Sequence, residues 1–318
     1  MKLNENYKKY PQHYYVPENI EIDDNKYKLF LVRFNNLYEI YELLKSNPAI
    51  NKDVFSKLSS EQDNYDFAGM DYKDAVEDLI NFNEDGYANF LKLIKDLTKV
   101  KTGYKHEYEL KRTLAGGHLN IPAYSTGSPL CYESYERIKR PKFIKIHSTL
   151  SYPWFVEKSQ VLNRAIILVS IINALERNGY NIDLNTFELA KEYREIFYVN
   201  VKVKNHGERT NLQTLYKTNC HVEFLRRILF RILETSGVEE NWQHGYGQTC
   251  SEDFSRQVLN INKDDIYFGT PNELEIYGDN LAKDFKSCLK VLNLKDKFDI
   301  KKIDAEFNQN VKNLVKKK

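Results

Sequence analysis

The segment from Lys142 to Glu188 constrains the fold of this chain more than any other. It reads KFIKIHSTLS, a loop through Tyr152, Pro153 and Trp154, then VEKSQVLNRAIILVSIINALERNG and YNIDLNTFE. The outer pieces are dense in β formers and the middle one is too long for a strand, so the segment predicts strand, helix and strand, one βαβ unit. From Val161 to Leu175 all but Asn163, Arg164, Ser170 and Asn173 are apolar. A helix apolar over most of its circumference must be buried, here against a sheet. Asn178-Gly179 supplies the stop, glycine being the natural left-handed residue past a last turn. Ligands of such units sit at the carboxyl end of the first strand, which directs attention to His147, Ser148, Thr149 and Ser151.

With 318 residues, 42% of them apolar, the chain can bury one large or two ordinary cores. A net charge of +2 excludes a molecule that binds polyanions over its whole surface. Cys131, Cys220, Cys250 and Cys288 form no C-x-x-C pair, so neither a zinc site nor a disulfide framework is indicated. The start, MKLNENYKKYPQHYY, lacks the apolar core of a signal peptide, and Ala165 to Leu175 is well short of the roughly 20 residues a membrane span needs. A cytoplasmic protein without a membrane partner is expected.

The order of patterns gives four parts. Residues 1–25 are a polar, Tyr-rich arm containing Pro11 and Pro17. Residues 26–140 form a smaller α+β domain, with a strand at KYKLFLVRF, helices at 71–80 and 86–99, and strands flanking a tight loop at 121–131. Residues 141–293 form an α/β domain with a Rossmann-like sheet. In it, 195–204 is an antiparallel or edge strand, 210–234 a helix, 264–269 a short strand and 279–293 a helix. Residues 294–318 form an amphipathic basic helix, in which eight lysines stand against four acids.

Candidate functional residues fall in three places. Arg226, Arg227 and Arg231 share a helical face and could grip phosphates; the alternative is a solvated face paired with Glu223 and Glu234. Tyr124 and Ser125 lie in a nearly uncharged loop fit for recognition, and Tyr152 and Trp154 in the loop after the first strand of the βαβ unit. His147 beside Ser148 or Thr149 is the minimum for nucleophilic chemistry. Neighbours on a strand point to opposite faces, however, and no G-x-S-x-G elbow is present. No catalytic residue is therefore assigned, and no cofactor is expected.

Two resemblances add to this. The succession β, α, β, β, α, β, α resembles a von Willebrand factor A-like domain, which implies a D-x-S-x-S metal loop at the end of the first strand. Here that place is His147-Ser148-Thr149-Leu150-Ser151. Thr149 and Ser151 match the serines as weak metal candidates, but His147 replaces the carboxylate, and imidazole is a poor magnesium ligand. The second resemblance rests on the P-A-Y-x-x-G-x-P-L-C loop at Pro122 to Cys131, the YPWFV segment with its helix, GYNIDL and EFLRRILFRILE. These are similar to an uncharacterised family of proteins from phages and prophages of Gram-positive bacteria, over about residues 30–293. That likeness implies a setting, the host cell cytoplasm, and no reaction.

The resulting expectation is a non-enzymatic phage protein that acts by binding another protein, of phage or host. It would serve particle assembly and DNA packaging, or inhibit a host defence system. Two alternatives stand beside it: a nucleic-acid-binding protein using the arginine helix and the C-terminal lysines, and a metal-dependent domain centred on 147–151. Self-association through the basic helix would make it a homo-oligomer.

Overall fold

The computed structural model describes residues 18–45, 70–81, 84–99, 108–137, 142–177, 179–235 and 248–294. Residues 295–318 of the expected basic helix and residues 1–17 of the expected arm lie outside these. The chain begins with a hairpin, β1 (Glu18–Ile22) and β2 (Asn25–Phe34), antiparallel in register Ile22↔Asn25. Its two connecting residues, Asp23 and Asp24, both have positive φ (48° and 63°), the left-handed pair that matches the twist of a tight hairpin. Helices α1 (Leu37–Lys45), α2 (Tyr72–Asp78) and α3 (Glu84–Lys99) follow. Asp71 caps α2 by accepting from the amide of Asp74 at 2.9 Å.

A small antiparallel sheet comes next: β3 (Tyr108–Thr113), β4 (His118–Leu119) and β5 (Tyr132–Arg137), in the order β3-β5-β4, with the short helix α4 (Ile121–Ser125) between β4 and β5. Asn120 caps α4 and Pro122 occupies its first turn, where the missing amide proton has no consequence. The loop expected at 121–131 thus contains a turn of helix.

The βαβ unit forms as predicted: β6 (Lys142–Thr149), α5 (Lys158–Arg177) and β7 (Tyr180–Glu192), with β6 and β7 parallel. Then come β8 (Glu195–Lys204), α6 (Leu212–Asn219), a π-helical segment Phe224–Leu229 running into α7 (Phe230–Thr235), β9 (Gln248–Thr249), α8 (Glu252–Leu259), β10 (Ile266–Phe268) and α9 (Leu281–Val291). Among the described residues the large sheet has seven strands, six along β1-β2-β8-β7-β6-β10 and β9, which pairs with β7 beyond the end of β6. It is mixed: β2/β8, β6/β7 and β6/β10 are parallel, whereas β7/β8 is antiparallel.

Alternation along the strands sorts the cores. Ile144, Ile146, Ile182 and Leu184 face α3, α5, α6 and α9 in one cluster. On the same face, Phe30, Val32, Phe34, Phe197, Val199 and Val201 meet α1, α2 and the π-helical segment in another. The opposite face carries a smaller cluster of Leu29, Phe187, Leu189, Ile196 and Tyr267 under α8. Ile166, Ile167, Leu168, Ile171 and Ile172 of α5 are fully buried, and each is worth about 1.5–3 kcal/mol of burial. Ser170, the polar interruption, satisfies itself by donating to the carbonyl of Ile166 at 2.8 Å.

One expectation changes and another narrows. The sheet crosses the division placed near Pro141: β2, assigned to a separate α+β domain of 26–140, pairs with β8 over seven positions from Lys28↔Glu195 to Phe34↔Val201. Of the two readings of β8, the antiparallel one holds, since it runs antiparallel to β7, and the edge one does not, since β8 lies between β2 and β7; its lysines are tied up, Lys204 Nζ meeting Glu176 at 2.9 Å and Lys202 Nζ meeting Asp183 at 3.6 Å.

Candidate interaction site beyond the carboxyl end of the first βαβ strand

Sequence places a single arginine, Arg164, in the first turns of the apolar helix, and the structure buries it completely. Its guanidinium donates only to neutral oxygens: the Gly269 carbonyl (2.7 Å), the Phe268 and Thr149 carbonyls (2.8 Å each), the Tyr152 hydroxyl and Ser148 Oγ (3.0 Å each). Those oxygens belong to the carboxyl ends of β6 and β10 and to the loop that follows β6. The network continues from Ser148 Oγ to Asn219 Oδ1 (2.9 Å) and from Asn219 Nδ2 to Thr186 and Thr218. A charge without bonded donors would be costly here, and an acceptor for each of the three guanidinium nitrogens makes Arg164 a fastener for two strand ends.

The His147–Ser151 motif is largely consumed by the same fastening. Ser151 Oγ donates to the Leu189 carbonyl at 3.1 Å and accepts from the Leu189 amide at 2.9 Å, while Thr149 Oγ1 accepts from the Ser151 amide. Both hydroxyls proposed as weak metal ligands are buried and engaged. Among the described residues no group of three or more His, Cys, Asp or Glu side chains could hold a metal ion. His147 lies on the opposite face from Ser148, next to Tyr267 across the register; burial pushes its imidazole below the usual value.

Beyond Ser151 the chain turns outward. Tyr152 is buried, held through its hydroxyl by Arg164, and burial raises its phenol. Trp154 and Phe155, by contrast, are 78% and 54% exposed, and their rings meet edge to face at 5.9 Å. The backbone beneath them is fixed. Arg226 Nη2 reaches the carbonyls of Trp154 (3.2 Å), Pro153 (3.5 Å) and Val156 (3.5 Å), and the Val156 amide donates to Pro153 O at 3.1 Å.

Arg226, Arg227 and Arg231 therefore do not form the exposed basic face on which both readings of them depended. Their exposures are 5%, 0% and 5%. The segment around them is covered on all sides, with Val222, Leu225, Ile228, Leu229, Ile232 and Leu233 also buried, and its middle is a π-helix, a wider turn frequent at functional sites. Arg227 Nε donates to the Met70 carbonyl at 2.9 Å, and the Arg231 guanidinium lies 5.7 Å over the Tyr72 ring. They join α2 and the Trp154 loop to the helix.

Tyr124 and Ser125 sit on α4, apart from the Trp154 loop in sequence and outside the three core clusters. Tyr124 is exposed, and Ser125 Oγ donates to the Ile121 carbonyl at 2.8 Å. Two residues that sequence reasoning passed over complete the site: Phe155, and Glu188 of β7. Glu188 had a legible signal, because it shares its register face with Tyr180, Ile182, Leu184 and Ala190, an acid on the buried side of a central strand. Among the described residues no helix is long and apolar enough to cross a membrane.

The chain matches, over residues 12–298, the family described as "Domain of unknown function (DUF7192)", and belongs to it. No curated protein and no solved structure matches.

Proposed function

We propose that this member of a family of unknown function is a binding protein rather than an enzyme, and that it contacts another protein through the loop carrying Trp154 and Phe155. The observation that supports this is the pairing of two exposed aromatic rings with a backbone locked from below by Arg226 and Arg164. Large aromatics dominate the energetics of protein interfaces. Holding them ready reduces the ordering cost that association would otherwise incur. Ser148, the nearest nucleophile to His147, hydrogen-bonds Asn219 and Arg164 on the other face of the sheet, which weighs against acyl chemistry.

We take the setting to be a phage or prophage of a Gram-positive bacterium, on the sequence of Pro122 to Cys131, and the partner to be a phage or host protein in the host cytoplasm. The von Willebrand factor A-like reading rests on the succession of strands and helices that begins with β6, α5 and β7, and the placement of the contact on the carboxyl end of β6 in that unit.

The test is affinity capture from phage-infected cells with the full-length protein, alongside a Trp154→Ala/Phe155→Ala double variant. Both side chains are exposed, so the variant should melt within about 1 °C of wild type, as surface substitutions usually change stability little. The expected result is a specific partner lost with the variant; equal capture by both proteins would overturn the assignment of this loop.

A further inference from the structure

Between β7, the start of the Trp154 loop and the π-helical segment lies a cavity of about 50 Å³, walled by Ser151, Tyr152, Leu225, Phe230 and Thr249. Glu188 of β7 lines that cavity as well. The residue is 2% exposed, and its Oε2 has no hydrogen-bond partner. No neighbouring charge offsets its burial, which alone drives its pKa well above the carboxylate range. Ser151 gives its hydroxyl proton to the Leu189 carbonyl, and the Tyr152 hydroxyl, which accepts from Arg164, makes no bond to Glu188. The gap has a topological cause: β6 pairs with β7 as far as Phe187 and β9 resumes on that side at Ala190, leaving Glu188 and Leu189 between the two.

A buried acceptor with no donor among the described residues is an energetic fault of a few kcal/mol unless something supplies one. The ε-ammonium of a lysine, a compact charge with three donors on a slender methylene stem, fits a cavity of this size and supplies the donor that Glu188 lacks. It opens beneath the loop that carries Trp154 and Phe155 two and three residues after its wall residue Tyr152. We propose that this cavity receives a lysine side chain of the protein partner, with Glu188 as the counter-ion of its ε-ammonium.

This rests on the protein-binding reading above and sharpens it: the partner presents a lysine next to an apolar surface that covers Trp154. Insertion forms an ammonium–carboxylate pair and releases the carboxyl proton of Glu188 to solvent, so affinity rises with pH as long as the amine stays protonated. Enclosure strengthens the pair relative to one at the surface, provided the remaining ammonium protons find the cavity's oxygens.

The experiment needs no partner, so its outcome is independent of the capture test. Thermal melts of full-length wild type are recorded in methylammonium chloride, in Nα-acetyl-lysine methylamide and in equal sodium chloride, at pH 6 and pH 8. Glu188→Gln keeps the shape without the charge, and Thr249→Trp, at the exposed rim, closes the mouth and leaves Glu188 intact. The expected result is a saturable rise of roughly 2 °C with both amines in wild type, larger at pH 8 and absent in both variants. A rise with methylammonium alone would assign the site to free amines and overturn the lysine source. Shifts equal to those in sodium chloride, or equal in wild type and the two variants, would overturn the site itself.

Discussion

The Arg164 guanidinium stands 3.0 Å from the Tyr152 hydroxyl, so a charge buried in the helical core also fixes where the exposed loop begins. Tyr152→Phe removes a hydrogen bond to a charged donor and is expected to lower stability by about 1.5–3 kcal/mol. Arg164→Met strands three carbonyl oxygens and two hydroxyls in the core and should cost at least about 3 kcal/mol. Urea midpoints with unchanged slopes check both; a Tyr152→Phe midpoint equal to wild type would remove Arg164 as the loop's fixture.

Arg226 has the complementary role on the far side of the loop. Arg226→Ala releases the carbonyls of Pro153, Trp154 and Val156. Hydrogen exchange at the Val156 amide is expected to quicken about tenfold, or about 1.4 kcal/mol of local opening, while amides in the middle of α5 keep their protection. Uniform loss of protection across α5 would instead assign Arg226 to global stability.

The contrast between these arginines and the apolar helix shows what sequence could convey. The 158–177 helix was legible because one residue after another left it no wet face, and β6 and β7 followed from their β-rich composition on either side. The burial of Arg226, Arg227 and Arg231 was illegible because a basic stripe looks the same whether water or backbone carbonyls meet it. Met70 and Pro153, which supply acceptors, lie 157 and 73 residues away from their arginines. The same holds for β2, whose pairing with β8 joins positions more than 160 residues apart, so no local period marks it as part of the main sheet. At the candidate site, Trp154 could be picked out by its type and Glu188 by its place on an otherwise apolar strand face, whereas Phe155 gained meaning only from its exposure, and the lack of a partner for Glu188 only from the interruption between β6 and β9.

Glu188 makes stability depend on pH in a definite direction. Burial holds its folded pKa well above the unfolded one, so between the two the folded protein carries an extra proton. The stability tied to that proton is complete below the ordinary carboxylate range and is lost as pH rises toward the folded pKa. Glu188→Gln has no such proton. The difference in unfolding free energy is therefore expected to shift toward the variant from pH 5 to pH 8, by up to about 1.4 kcal/mol per pH unit over the titrating interval. Guanidinium unfolding at both pH values measures it, and a constant difference would mean that the carboxyl is solvated in the native state.

The large sheet makes a last prediction about where the chain can be cut. If the division near Pro141 separated two domains, residues 142–294 would fold alone. They would then lack β1, β2, α1, α2 and α3, and with these the parallel partner of β8 from Glu195 to Val201. Phe197, Val199 and Val201, all fully buried in the complete chain, would lose the facing side chains of α1 and α2, and Phe90 and Ile94 of α3 would be missing from the cluster around α5. Each large side chain exposed in this way forfeits about 1.5–3 kcal/mol of burial, and several together exceed the roughly 5–15 kcal/mol that keeps a domain folded. The fragment also presents β8 as a long apolar edge, a template for aggregation. The expected outcome is insoluble 142–294 fragment, rescued to a soluble complex when residues 18–99 are co-expressed as a separate chain. A fragment that is soluble by itself and gives a cooperative melt would show that the N-terminal elements only lie against a body already complete.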